Sequence, residues 1–391
     1  MKIKKLKSLD IFILFMSLEG LLFRTSLGAL SFSLIGSFVF LLRIILTSKR
    51  IIINSIYSNS LLLLGLFFTF TSFFIGDSII GNLVRIWISV LLAYLLPYLD
   101  INPQQWADSI RKIILFHSLF LIFDFFFETP WGWDSEGYFF LGFNLPDLYR
   151  AQGLFGEPSY YGFTINCLFL ILVILRKCSV YDCLLVLSTN LLSTSLSGIL
   201  CSAAIAITNY ISEIKRILKN IILKGKFKKN IILIILLLMF FLLALQLIEG
   251  GWMVRRLTDP LEDSSILGRT IGTYPLVKYV FQNSPFFGLG LGSNILNSID
   301  SGNFQFFIGD KTIDITITTA NALVGILYMG GFIGLILYLI YNFSSLKLKY
   351  LPAYFLLLSS SGKSFFIFLF IIPAFNKYIS KKNLSIKNKV T

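Results

Sequence analysis

The stretch 150–161 combines a cation, a carboxylate and two glycines directly ahead of an apolar run. Pro158 is favoured in the first turn of a helix, because its missing N–H would have no partner there anyway. Glu157 would precede that turn, where the helix dipole stabilises a carboxylate. Arg150 lies seven positions before Glu157, and the intervening glycines allow the chain to fold back. The pattern predicts a cation and a carboxylate together at the mouth of a helix, where a general base could act beside an anion-binding group.

Four further arginines could hold an anion: Arg255, Arg256 and Arg269 lie between apolar runs, and Arg85 lies inside one. The planar guanidinium group suits a phosphate, with which it can form paired hydrogen bonds. Lys363, at a polar break near the C-terminus, is a candidate for a different reason, because ionisable groups within apolar membrane segments often have a function. The alternative is that these cations only pair with acids, and the candidate partners are Asp259, Glu262, Asp263, Glu157, Asp124 and Glu19.

The general base is expected to be a carboxylate. His117 is the only histidine, and it lies in an apolar run where a structural role away from the outer loops is expected. Glu157 is therefore the first candidate, followed by Asp314 and Asp310. The cysteines lack metal-ligand spacing, and neither a metal nor a cofactor is expected.

Glycines also recur at positions 288, 290 and 292. A Gly-x-Gly-x-Gly run can cradle a phosphate, but a nucleotide-binding fingerprint would follow a strand, which is not expected here. Two interpretations stay open, a flexible turn that returns a loop to the bilayer and a set of N–H groups that face an anion.

The composition indicates an all-α polytopic membrane protein. The chain is 56% hydrophobic and only 14% charged, whereas soluble domains contain about 25% charged residues. Repeated apolar runs approach the roughly 20 residues that cross a bilayer, and about twelve spans are expected in a single membrane domain covering residues 1–391. They lie at about 9–23, 26–46, 60–76, 79–97, 113–127, 159–175, 231–248 and 315–342, with two short-helix hairpins within 181–211 and 350–378.

The distribution of charge fixes the expected orientation. Most of the 34 Lys and Arg residues fall on segments between spans that would share one face with the N-terminus, whereas most acids fall on the other. By the positive-inside rule both termini are cytoplasmic, and the two large loops, about 128–157 and 249–314, face outward. The net charge of +14 is therefore a topology signal that also favours contact with anionic membrane lipids. No nucleic-acid partner is expected.

Several short motifs in order resemble the O-antigen polymerase (Wzy) family, within the superfamily that also contains the O-antigen ligases. The similar residues are Arg150, Gly153, Glu157, Pro158 and Ser159, then Ser193, Thr194, Ser195, Ser197 and Gly198, then Gly268 and Arg269, then Ser284, Pro285, Gly288, Gly290 and Gly292, and finally Thr319 to Leu323 ahead of Gly330, Gly331 and Gly334. The ligase branch carries a histidine where this chain has Ala320, which favours the polymerase branch.

The resemblance implies a GT-C-like membrane glycosyltransferase of the bacterial inner membrane, inverting and metal-independent, with its active site facing the periplasm. Donor and acceptor would be oligosaccharide repeat units on undecaprenyl diphosphate, and the product an O-antigen, capsule or related surface polysaccharide. Arg150 and Glu157 would be catalytic, and Arg255, Arg256, Arg269 and Arg85 would bind diphosphate. A chain-length regulator would be a further partner in such a system. The alternatives are an O-antigen ligase and a flippase or transporter of polysaccharide units.

Overall fold

The computed structural model describes residues 6–18, 22–25, 28–47, 56–74, 80–127, 131–133, 139–141, 151–155, 158–224, 271–290, 303–308, 311–316, 321–360 and 366–390. Helices dominate this part of the chain, and the helical class is confirmed. The helices are α1 Leu6–Ser17, α2 Phe32–Thr47, α3 Ile56–Phe74, α4 Ile80–Leu95, α5 Pro103–Phe127, α6 Pro158–Ile174, α7 Val180–Leu192, α8 Leu196–Lys224, α9 Tyr274–Asn283, α10 Ala322–Ser345, α11 Leu351–Ser359 and α12 Phe366–Val390.

Three short antiparallel hairpins accompany the helices, an addition to the all-helical expectation. The strands are β1 Leu22–Thr25 with β2 Gly28–Ser31, β3 Trp131–Trp133 with β4 Phe139–Leu141, and β5 Asn303–Ile308 with β6 Lys311–Thr316. The second hairpin lies within the outer loop expected at 128–157. The third begins in the outer loop expected at 249–314 and extends two residues into the span expected at 315–342. The first lies where the expected spans 9–23 and 26–46 meet.

The expected hairpin of two short helices within 181–211 is confirmed as α7 and α8, although α8 continues to Lys224. Conversely, most of the inner loop expected at 100–112 belongs to α5, which begins at Pro103. The charged residues there suggested a loop, but Trp106, Ala107 and Ile110 are fully buried. Burial of this apolar face therefore stabilises a helix here, although the segment is rich in polar residues. The span expected at 231–248 lies outside the described residues.

Helix α6 lies at the centre of the bundle. Residues 161–174 are buried around the whole circumference of the helix, and α5, α7, α8, α11 and α12 all pack against it. A helix that is apolar on every side belongs in such a position, because no face of it gains from contact with water. The chain on either side of α6 is therefore held at fixed points of the bundle.

Helix α10 is interrupted at Gly331, whose φ of 58° and ψ of −158° are not helical. The segment 285–290 fills the break and bonds to the backbone groups that it frees. The N–H groups of Phe332 and Ile333 donate to the carbonyls of Pro285 and Phe286 at 2.8 and 3.1 Å, and those of Leu289 and Gly290 donate to Tyr328 and Met329 at 2.8 and 3.1 Å. A distant loop segment thus completes the helix.

Helix α12 contains Pro373, which has no N–H to offer the carbonyl of Leu369. The hydroxyl of Tyr354 donates to that carbonyl at 2.7 Å, and the Tyr341 hydroxyl donates to the next one, Phe370, at 2.5 Å. The Tyr354 hydroxyl therefore replaces the one backbone hydrogen bond that the proline removes, and the Tyr341 hydroxyl binds the neighbouring carbonyl.

Within the described residues, Ala322–Ser345 is the one helix both long and apolar enough to cross a bilayer. Shorter apolar helices of 10–17 residues accompany it, among them Phe32–Leu46, Pro158–Ile174 and Leu196–Tyr210. The count of about twelve spans is therefore not confirmed by helix length alone.

The break in α10 makes a testable prediction. A Cβ at Gly331 would lie 2.5 Å from the carbonyl carbon of Phe286, and the φ of 58° with ψ of −158° at Gly331 is a conformation that costs an L-residue about 1–3 kcal/mol even without a clash. Gly331→Ala should lower the Tm in detergent by several degrees. Gly65→Ala, whose Cβ would meet its nearest atoms at 3.4 Å, is the matched control and should unfold near the wild-type temperature. Equal Tm values for the two variants would contradict the role of the break.

Candidate active site

A short turn at residues 151–155 leads towards α6 and is fastened to α5 by one carboxylate. The N–H groups of Gln152 and Gly153 both donate to Oδ2 of Asp124, at 2.8 Å each. The Phe155 N–H closes the turn onto the Gln152 carbonyl at 3.2 Å. Gly153 adopts a φ of 61°, and a Cβ there would lie 3.4 Å from the backbone nitrogen of Leu121. Glycine suits this position because the backbone is left-handed and close to a helix.

The same turn is packed into the bundle by its side chains. Ala151 and Phe155 are only 2% and 1% exposed. The Phe155 ring lies 5.2 Å from the His117 ring and 6.1 Å from the Tyr161 ring, measured between centroids. His117 Nε2 in turn lies 2.7 Å from the Ser17 hydroxyl of α1. His117 is structural, as expected, but it does not stand apart from the loops: it forms part of the wall against which the turn at 151–155 rests.

The α7–α8 hairpin meets the start of α6 through small and polar residues. Asn166 Nδ2 donates to the Gly198 carbonyl at 2.8 Å. A Cβ on Gly198 would lie 3.2 Å from the Cα of Gly162 and 2.5 Å from Asn190 Oδ1, so the two helices cross at nearly the closest possible distance. The Ser195 hydroxyl accepts from the Gly198 N–H at 3.3 Å and caps α8. The serine-rich stretch therefore begins a helix at the level of the first turns of α6.

These contacts place two irregular segments, 151–155 and 193–195, around the first turns of α6. Several buried polar atoms at this level have no hydrogen-bond partner: Asp124 Oδ1, Thr164 Oγ1, Asn166 Oδ1 and Asn190 Oδ1. Polar atoms are costly to bury in an apolar bundle without partners, so this end of α6 is the part of the described structure best equipped to hold something polar. No group of three metal-ligating side chains comes together in the described residues.

Most of the residues selected from the sequence lie outside the described residues: Arg150, Glu157, Arg255, Arg256, Arg269, Asp310 and Lys363. The turn at 151–155 nevertheless connects directly to Arg150, and one residue separates it from Glu157 in the chain. Asp314 lies on β6, where its backbone pairs with Gln305 of β5.

Arg85 belongs to a different part of the bundle. It is a half-buried residue of α4, a helix that packs against α2, α3 and α12. Its Nε atom is buried and has no hydrogen-bond partner, and no salt bridge joins it to another described residue. Asp124, one of the two acids considered as a partner for Arg85, accepts from the turn at 151–155 instead. The other, Glu19, lies outside the described residues.

The first two glycines of the run, Gly288 and Gly290, make backbone contacts, and their N–H groups already have carbonyl acceptors. The N–H groups of Gly288, Leu289 and Gly290 donate to the carbonyls of Ser284, Tyr328 and Met329. Gly288 has a φ of 70°, and a Cβ there would lie 2.5 Å from the Gly331 nitrogen. Asn321, in the next similar motif, caps α10 by accepting from the N–H groups of Leu323 and Val324 at 3.0 and 3.4 Å.

Asp124 is the residue of this region that the sequence did not single out. It appeared only as a neutralising partner for a cation, whereas it anchors a turn 28 residues away in the chain. An acid inside an apolar helix is itself a signal of a specific role, because isolated charges are rarely tolerated there. The position of Asp124 in the sequence does not indicate which groups its carboxylate binds.

Comparisons with known proteins identify the family. A search of curated proteins found no match to the chain. A family model described as WcaD colanic acid polymerase matches residues 137–348. The matched region is more than half of the chain and contains the turn at 151–155, the start of α6, the α7–α8 hairpin and the broken helix α10. The chain therefore belongs to the WcaD colanic acid polymerase family, which supports the Wzy-type polymerase that the sequence motifs indicated.

Proposed function

We propose that this protein joins oligosaccharide repeat units carried on undecaprenyl diphosphate into a surface polysaccharide. The observation that carries the proposal is the polymerase family match over residues 137–348, which includes every arginine selected from the two large loops and also Glu157. Membership of the family supports polymerisation into surface polysaccharide. The lipid carrier, the orientation and the roles of individual residues are proposed here.

In the proposed reaction, a hydroxyl oxygen of the acceptor unit attacks the anomeric carbon of the first sugar of the growing donor glycan. The bond from that carbon to the diphosphate oxygen breaks, and undecaprenyl diphosphate leaves with the bonding electron pair. The hydroxyl proton passes to a general base. Attack opposite the leaving group inverts the configuration at the anomeric carbon, and no metal takes part.

Negative charge gathers on the departing diphosphate, so the rate depends on cations fixed where that charge appears. Arg150, Arg255, Arg256, Arg269 and Arg85 are proposed to supply them, with guanidinium groups that match phosphate oxygens. By analogy with a single oxyanion-hole donor, each well-placed group would contribute about 2.7–4 kcal/mol to transition-state stabilisation. The Nε atom of Arg85 is buried and has no hydrogen-bond partner, and no ion pair joins Arg85 to another described residue, which supports this role.

Glu157 is proposed as the base, or as the group that orients the acceptor hydroxyl. It lies two residues beyond a turn that the bundle fixes in place, and a base must sit within hydrogen-bond reach of the proton that it takes. Asp314 and Asp310 are the alternative bases.

The setting is proposed to be the bacterial inner membrane, crossed about twelve times, with both termini in the cytoplasm and the site facing the periplasm. Large apolar side chains point outward on several helices, and Leu46, Phe74 and Phe126 are 83%, 77% and 71% exposed. Exposed apolar surface of this kind favours contact with lipid tails. Lipid-linked donor and acceptor are the partners, and a chain-length regulator is a further one to be tested.

One prediction of the proposed function concerns polymer length in cells. Glu157→Gln and Arg150→Ala should abolish long chains, because they remove the proposed base and a proposed diphosphate cation, while the protein still inserts. Asp108→Asn and Lys278→Ala are matched charge-removing controls at described positions outside the proposed site, and both should leave the chain-length ladder unchanged. Wild-type ladders from both site variants would refute the assignment.

The same cells separate a polymerase from a flippase. Loss of a polymerase leaves single lipid-linked units exposed on the outer side of the inner membrane, whereas loss of a flippase keeps them inside. Surface labelling of the unpolymerised units in a deletion strain therefore decides between the two functions, and units confined to the cytoplasmic side would contradict the proposal.

Another prediction sets Arg85 against Arg111. Arg111 donates to both carboxylate oxygens of Asp182 at 3.0–3.1 Å, and hydrogen bonds to charged groups contribute about 1.5–3 kcal/mol. Arg111→Met should therefore lower the Tm. Arg85→Met removes no hydrogen bond at Nε, so its Tm should equal or exceed that of the wild type while chain extension falls at least about ten-fold. A destabilised Arg85→Met with normal extension would show that Arg85 is structural.

A further inference from the structure

The Asp124 carboxylate is an unusual anchor for the turn at 151–155. The residue is 1% exposed and lies in α5. One oxygen, Oδ2, accepts both N–H groups of the turn, and the other, Oδ1, is buried without a hydrogen-bond partner. Burying a carboxylate in an apolar bundle is costly, so its presence indicates that the two N–H bonds serve more than the packing of α5.

The turn at 151–155 has few other ways to satisfy its backbone. It lies against α5 at Leu121 and against the His117 ring, and Ala151, Gly153 and Phe155 are buried. The Gln152 and Gly153 N–H groups point the same way, so a single acceptor atom can bind both. A carboxylate oxygen on a short side chain has the lone pairs for two such hydrogen bonds. Without Asp124 these donors would be buried and unpaired, and the turn would shift towards another partner.

We infer that Asp124 is a positioning residue of the reaction: by accepting the Gln152 and Gly153 N–H groups, it fixes the turn that joins Arg150 to Glu157. The inference rests on the proposed function, since it concerns the placement of those two groups. Asp124 itself is too deeply buried to touch the substrate. It acts through the backbone, and a shift of about 1 Å at a reacting group can cost on the order of 100-fold in rate.

The test compares three substitutions in the purified full-length protein. Asp124→Asn keeps an oxygen that can accept both N–H groups, and Asp124→Ala keeps none. Gly153→Ala disturbs the same turn from its other side, because φ is 61° there and the Leu121 backbone is close. Ser109→Ala is the matched control, because Ser109 is a fully buried residue of α5 whose hydroxyl has no partner.

Two quantities are measured for each protein, below its own Tm: the kinetics of extension of a defined lipid-linked repeat unit, and the hydrogen–deuterium exchange of the peptide that contains residues 152 and 153. We expect Asp124→Asn to keep kcat within about three-fold of wild type, and Asp124→Ala to lose on the order of 100-fold in kcat with little change in KM. Gly153→Ala should lose at least about ten-fold. Exchange should accelerate at least about ten-fold in Asp124→Ala and stay slow in Asp124→Asn and in the control.

Three outcomes would overturn the inference. Wild-type kcat in Asp124→Ala would show that the anchor is dispensable for the reaction. Loss of activity in Asp124→Asn equal to that in Asp124→Ala would show that the charge matters and the N–H acceptance does not. Rapid exchange of the two amides in the wild type would show that the turn is not fixed. Failure of the wild-type protein to extend any chain would instead count against the polymerase assignment, while the exchange data would still decide whether Asp124 holds the turn.

Discussion

Every buried backbone N–H and C=O in this apolar bundle must find a hydrogen-bond partner within the protein. In the irregular parts of the fold, that partner comes from a side chain or from a distant segment of the chain instead of from the same helix. The break at Gly331 is completed by residues 285–290, the carbonyl left by Pro373 is bound by Tyr354, and the turn at 151–155 is bound by Asp124. Each solution ties together segments that are far apart in sequence. The bundle is therefore held by specific polar contacts as well as by apolar packing.

The need to pair every buried backbone group also explains how an apolar helical bundle can hold non-helical segments at the candidate active site. Helix α6 is buried on all sides, so its first turns are fixed, and the turn before it and the α7–α8 hairpin beside it are fixed with them. A catalytic group next to such a turn in the chain is attached to backbone that the bundle holds in place. Catalysis by preorganised charge requires this, because the charged groups must be positioned before the reaction begins. The family match covers these same elements.

The sequence predicted what depends on local pattern. Pro158 ahead of an apolar run marked the start of α6, and serines within 181–211 marked the break between α7 and α8. It did not predict contacts that depend on the folded chain. The glycines at 288 and 290 left open a flexible turn or a set of N–H groups facing an anion, whereas they permit close approach to the backbone of α10. Asp124 and its turn are separated by 28 residues, and no periodicity connects an acid to backbone N–H groups at that distance. The start of α5 was missed because the burial of Trp106, Ala107 and Ile110, which favours a helix there, depends on the folded bundle.

The most direct test of the account is an extension reaction with purified protein in liposomes, given one defined undecaprenyl-diphosphate-linked repeat unit and no added metal. A polymerase should produce a ladder of longer lipid-linked glycans and release one undecaprenyl diphosphate for each new glycosidic bond, with inverted configuration at the joined sugar. Repeat units that remain single, or chains that grow without release of the lipid diphosphate, would contradict it.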